Sequence, residues 1–206
     1  MSAKLHLPLA KVILALLLAY GGVLGLHLRE FHEVPVSAVA LLSLAAGALY
    51  THFFEYLYHM VAMHHVFRFG GQRYHDKRHL KHHQIFSGEN FQTRNPAHLE
   101  DVAAHWYTLP ALFFLHYLVF LALFPARLAP WFFGGVTLQS LAYEISHWFT
   151  HVQDNSFDRL IARLPLLSRL RVSQIEHHRR HHAVPAANFN FTPPYLGDRW
   201  GGTLSK

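Results

Sequence analysis

The sequence predicts an all-α integral membrane protein, with four transmembrane helices and a cytosolic helical cap that carries a histidine-rich di-metal site. Three observations carry that prediction. Of 206 residues, 51% are hydrophobic and only 15% charged, a balance unusual for a soluble domain. The apolar residues gather into four stretches, each near the ~20 residues that a helix needs to cross about 30 Å of hydrocarbon. Most of the 20 histidines fall into clusters with helical spacing.

The whole chain, residues 1–206, reads as one membrane-embedded domain, with spans at approximately 5–28, 34–60, 102–124 and 128–149. Leu5 to Leu28 carries one charge, Lys11, and no small-x-small cleavage site follows before Arg29-Glu30, so it reads as a retained span. Val34 to Met60 carries only Glu55, and the last two stretches together carry only Glu144. Pro110 and Pro125 are expected to kink and to bound the third span. The cap comprises residues 61–101 and 150–206.

Lys and Arg number two in the N-terminal tail, six between His65 and Asp101 and eight after His151, against one in each short hairpin, at Arg29 and Arg127. That asymmetry places both termini and the metal site on the cytoplasmic side. The +6 net charge then reads as a face beside anionic lipid, with no nucleic-acid partner. Without cysteine, disulfides and thiolate metal sites are excluded, so any metal is held by histidine or carboxylate.

His6, His27 and His32 near the first span have no mutual spacing and read as solvated interfacial residues, as does His98 in a surface loop from Gln84 to Asp101. At the end of the second span His52, Glu55 and His59 share a helical face. Ionisable groups there are a functional hypothesis by default. His64 follows His59 by five residues, about 140° around an ideal helix, so a shared site requires the helix to bend or end between them. Gly70-Gly71 breaks the chain before Tyr74-His-Asp-Lys-Arg-His-Leu-Lys-His-His83, whose histidines form one face, with Lys77, Arg78 and Lys81 on the flank.

His105 and His116, in the third span, stand near one face, a spacing that fits pairing with each other or with substrate, although single histidines bonded to a neighbouring helix are the better reading. The fourth span exits through Glu144, His147 and His151, an acid-and-imidazole face matching that of the second span and pointing to a shared site. Leu160, Ile161, Leu164, Leu167 and Leu170 line one side of an amphipathic run from Phe157 to Arg171, with arginines opposite. This is either an interfacial helix or one packed on the domain. Gln174 to Ala183 follows, with Arg179 and Arg180 outward, and then a Pro- and Gly-rich closing segment, Asn188 to Thr203, without long helices.

In order, the clusters are His59-x4-His64, His79-x2-His82-His83, His147-x3-His151 and His178-x2-His181-His182. In the HxxHH form three imidazoles project within about 100°, so two such helices and two membrane-helix ends can surround a pair of metal ions. Imidazole suits iron, zinc, copper and nickel alike. Glu55, Glu144 and Asp198 are candidates to accept the remaining ring N–H groups, or alternatively to ligate directly.

These clusters, with the closing Asn188-Phe…Asp198-Arg-x-x-Gly-Gly-Thr203 segment, resemble the fatty acid hydroxylase superfamily, which includes fatty acid 2-hydroxylases, sterol desaturases and C4-methyl sterol oxidases. The resemblance covers residues 50 to 203. It implies His59, His64, His79, His82, His83, His147, His151, His178, His181 and His182 as ligands. It also makes Tyr143-Glu144, usually Tyr-Asp in the 2-hydroxylases, the catalytic pair. It further implies an O2-dependent oxidoreductase in which two iron ions, with zinc a substitute in purified protein, oxidise an unactivated C–H of a fatty acyl, sphingolipid or sterol. Electrons would come from a cytochrome b5-like or ferredoxin-like partner. His65, His75 and His177 read as supporting or solvated. The alternatives are a carotenoid hydroxylase with similar boxes and a divalent-metal transporter, although transporters place ligands at the bilayer midplane. A zinc protease needs HExxH, and after His32-Glu33 the second histidine is replaced by Val36.

Overall fold

A computed structural model describes residues 6–29, 36–64, 67–69, 72–74 and 76–205. His32, His65, His75, Gly70 and Gly71 lie outside the described residues. The fold is helical: α1 (Leu7–Leu26), α2 (Ala38–Leu57) with a π-helix (Tyr58–His64), α3 (Lys77–Ile85), α4 (Pro96–Leu99), α5 (Thr108–Leu123), α6 (Ala129–His151), α7 (Ser156–Ile161), α8 (Pro165–Ala183) and α9 (Leu196–Gly201). Among the described residues one antiparallel hairpin, β1 (Phe67–Phe69) with β2 (Gln72–Tyr74), interrupts this pattern.

The chain divides into two compact units, residues 1–51 with 103–144 and residues 52–102 with 145–206. The division falls inside α2 and α6. In the first unit α1 is apolar all round, with Leu9, Val12 and Leu16 buried and Leu14, Leu17 and Leu18 exposed. Such a helix belongs in a core or a membrane rather than at a water surface. Its Val23 joins Phe113, Tyr117 and Phe120 of α5 and Phe133 and Val136 of α6 in one core. α2 and α6 approach to backbone contact, since a Cβ on Gly47 would overlap the carbonyl of Phe132 and one on Gly135 that of Leu44. Small residues allow helices to meet this closely without a hydrophobic driving force from water.

Leu7–Leu26 and Ala38–His64 are the described helices long and apolar enough to cross a membrane. The third expected span is shorter than its apolar stretch: α5 starts at Thr108, with Pro110 in its first turn. Proline has no N–H to lose there, so it opens the helix instead of kinking it. Pro125 does close it, N-capping a short 3-10 turn. His27 corrects the expectation of a solvated ring, being buried with Nε2 2.6 Å from the Tyr117 hydroxyl. His105 is exposed and stacks on Tyr107, while His116 meets Tyr50 of α2 edge-on.

In the second unit the expected amphipathic run is two helices, because Pro165 opens α8 afresh. Its leucines are exposed, but Arg171 is not on the outer side. That guanidinium is buried, donating to Asp158 Oδ1 (2.8 Å), Ser146 O (2.9 Å) and Gln174 Oε1 (2.8 Å), which ties α8 to the end of α6. The segment after Gln84 is likewise more than a surface loop. It forms a 3-10 turn at Gly88–Phe91 and the short α4 capped by Asn95, and it buries Phe91 and Leu99.

Candidate metal centre

All ten predicted ligands lie in the second unit, and the structure brings all ten together. His59, His64, His79, His83 and His181 form one group and His82, His147, His151 and His178 another, with the candidate ligand atoms of each within 4.8 Å of one another. His182 joins the second, its Nε2 3.0 Å from that of His178. The boxes are therefore shared out. From α3, His79 and His83, four apart, face the first group and His82 faces the second. From α8 the assignment is reversed, His178 and His182 facing the second and His181 the first. The matching faces at the ends of α2 and α6, expected to share one site, serve different groups.

Local structure explains each placement. His59 and His64 converge because Tyr58–His64 is wound as a π-helix, whose hydrogen bonds run from i to i+5. The five-residue spacing thus lands on one face through a change of winding. Asp76 caps α3 by accepting from the backbone N–H of Arg78 and His79, and Asp101 pairs with Lys81 and Arg78 on the outer flank. On α8, Arg179 is exposed and lies over the Phe91 ring, while Arg180 pairs with Glu176.

Within the groups, eight pairs of Nε2 atoms stand 2.8–3.2 Å apart. Hydrogen bonds between rings do not account for this. His64 Nε2 meets those of His59, His79 and His181, and His178 Nε2 meets those of His147, His151 and His182. One ring nitrogen has either one proton or one lone pair, so it makes one such bond and not three. His82 is buried with neither ring nitrogen partnered among the described residues, a costly state unless an ion takes one of them. These buried groups can hold a metal ion.

The spacing also bears on geometry. With metal–imidazole bonds of about 2.1 Å, adjacent donors of an octahedron stand about 3.0 Å apart and those of a tetrahedron about 3.4 Å. The observed separations fit octahedral edges, and five donors exceed what a tetrahedron takes.

Burial keeps these rings neutral. His79, His82, His178 and His181 are all held well below the usual histidine range, first by burial and then by neighbouring imidazoles. His83 is pushed down to about 3 by the same causes. A neutral ring is the form that ligates.

Three of the other ring nitrogens face backbone carbonyls and not the predicted carboxylates. His59 Nδ1 faces Phe189 O at 2.6 Å, His181 Nδ1 faces Ala187 O at 2.7 Å, and His151 Nδ1 faces Phe91 O at 2.9 Å. Glu55 and Asp198 lie one step further out, accepting from backbone N–H groups of residues 189–192. Tyr143 and Glu144 end the first unit's share of α6, and Glu144 is buried. His177 sits outside both groups, stacked on Tyr195 with Nε2 3.2 Å from Asp198. His52 bonds to Thr192 and accepts from the Leu196 N–H.

The closing motif acquires physical reasons. Asn188 has φ 57°, a conformation asparagine tolerates better than most residues. A Cβ on Gly197 or Gly201 would collide with Tyr56, Gly202 has φ 71°, and the Thr203 hydroxyl donates to Asp198. Sequence reasoning missed Arg171, Asn190 and the three carbonyls. Compared with family models, with curated proteins and with solved structures, the chain matches none.

Proposed function

We propose that this chain is a membrane-embedded, O2-dependent lipid hydroxylase or desaturase with a histidine-ligated di-iron centre, of the fatty acid hydroxylase type that its histidine boxes resemble. The observation that carries the reading is the convergence of four separate boxes into two groups of five imidazoles, with several Nε2 pairs in each near the edge length of an octahedron. Octahedral nitrogen-rich coordination suits ferrous iron, whereas structural zinc is almost always tetrahedral. Five donors leave one octahedral vertex for a reactant, as a catalytic centre requires. When bound, the iron pair would activate O2, the oxidant for an unactivated C–H, which no side chain can do.

The residues of this chain do the rest. The carbonyls of Phe189, Ala187 and Phe91 hold the δ nitrogens and so present bare Nε2 atoms inward. Phe86, Phe91, Phe189 and Phe191 pack on the rings and exclude water. In this reading α1, α2, α5 and α6 all span the bilayer, with the histidines and both termini cytoplasmic. α5, 16 residues long and so about 24 Å, crosses with its flanking residues snorkelling or the bilayer thinned. The substrate is a membrane lipid and electrons arrive from an external electron-transfer protein.

The test is comparative lipidomics of cells expressing wild type or His181→Ala, alongside iron content of the purified proteins. A new oxidised lipid class present only with wild type is the expected result. Identical lipid profiles with iron bound would overturn the oxidative reading, and wild type containing no metal would overturn the centre itself.

A further inference from the structure

We propose that the C-terminal strap, residues 187–205, fixes the donor nitrogens of the first histidine group and not those of the second, with Asp198 and Glu55 as its positioning residues. This inference rests on the reading of both groups as metal sites.

The strap presents two carbonyls to the site. Those of Ala187 and Phe189 face Nδ1 of His181 and His59, both members of the first group. A histidine whose Nδ1–H is held by a carbonyl has a fixed tautomer and a fixed ring direction. Any shift of the strap therefore moves two of the five donors of that group.

The strap is itself held from behind by two carboxylates. Asp198 accepts from the backbone N–H of Phe189 (2.7 Å) and Asn190 (2.8 Å), and Glu55 from those of Phe191 (2.5 Å) and Thr192 (3.2 Å). Four consecutive N–H groups are thus bound in pairs. Asp198 also takes the Thr203 hydroxyl (2.7 Å), and Glu55 the Thr192 hydroxyl (2.8 Å). The Asn190 side chain adds a bond to His52 O and accepts from the Gly197 N–H. At Asp198 only an acceptor-only group suits, because each oxygen takes one backbone N–H and an amide would turn an NH2 toward one of them. At Glu55 one oxygen takes both N–H groups, so removing that acceptor needs an apolar side chain.

The second group is held differently. His151 Nδ1 faces Phe91 O, and the backbone of Thr93 pairs with that of His151 and Gln153. Among the described residues, the strap meets this group with the Phe191 ring, edge-on to His147 and His178. That is an apolar contact, which does not select a tautomer.

The experiment titrates purified full-length protein with Fe(II) under anaerobic conditions and reads ions bound per chain and their affinities. Glu55→Met and Asp198→Asn keep most of the side-chain volume, remove an acceptor, and should weaken one of two ions by about 10–100-fold, the usual effect of losing an outer partner of a ligand. Adding Glu55→Met to His147→Ala, which disables the second group, should weaken the remaining ion. Adding it to His64→Ala, which disables the first, should change nothing. Thr203→Val, which removes one donor to Asp198, should act on the same ion more mildly and serves if Asp198→Asn does not accumulate. Glu55→Met leaving both affinities unchanged, or weakening the ion that survives in His64→Ala, would overturn the inference. Wild type binding no iron would instead overturn the underlying metal reading.

Discussion

Replacing Arg171 with Met should destabilise the protein severely and loosen the second histidine group before the first. The guanidinium is 6% exposed and serves three acceptors, of which Ser146 O and Gln174 Oε1 are buried, while Asp158 is 27% exposed. Methionine restores most of the stem volume but none of the donors. Breaking one side of a buried charged pair costs about 3–5 kcal/mol. Asp158 can rehydrate, whereas the Ser146 carbonyl and Gln174 cannot do so readily, so the loss falls within that range. For a chain of this length each kcal/mol moves Tm by about 2–4 °C, which gives a fall of about 6–20 °C. Ser146 precedes His147 and Gln174 lies one turn before His178, so slackening here separates two rings whose Nε2 atoms stand 3.1 Å apart. The assay is thermal unfolding in detergent with iron content read in parallel. A Tm within about 2 °C of wild type, or equal loss of both ions, would refute the reasoning.

Two further outcomes follow from the same structure. Gly197→Ala should cost about 1–3 kcal/mol through overpacking against Tyr56, read as a lowered unfolding midpoint, and an unchanged midpoint would mean that Tyr56 moves aside freely. Acid should destabilise the ion-free protein: His82 and His178 are kept neutral in the fold, chiefly by burial, while the unfolded chain protonates both near pH 6.5. Because the folded values are depressed, the unfolded state binds more protons below that pH, so stability is intact above it and declines as pH falls. Denaturation midpoints that stay flat between pH 7 and pH 5 would contradict the burial of these rings.

Much of the site is legible in the sequence because helical spacing puts clustered histidines on one face whatever surrounds them. His79, His82 and His83 were bound to project together on any helix. Which of them turns to which group depends on the azimuth of α3 against α8, and that is set by packing. The π-helix at Tyr58–His64 is invisible to periodicity, since its signal is the five-residue spacing that an α-helix forbids. The carbonyls that hold His59, His181 and His151 have no side-chain signature at all. Carboxylates looked like the partners because only side chains can be read from a sequence, and Glu55 and Asp198 turn out to act through the backbone they hold. His27 reads as solvated for want of any spacing partner, and Arg171 as outward from the amphipathic pattern of its run. In the fold, each is buried on a partner far along the chain, Tyr117 in one case and Ser146 in the other.

The most direct test of the account is an anaerobic Fe(II) titration of the intact protein combined with X-ray absorption at the iron edge. Two ions per chain, each in a five- or six-coordinate, imidazole-rich environment, are predicted, with His82→Ala reducing the second alone. Saturation at a single ion, four-coordinate iron, or no saturable binding would contradict it.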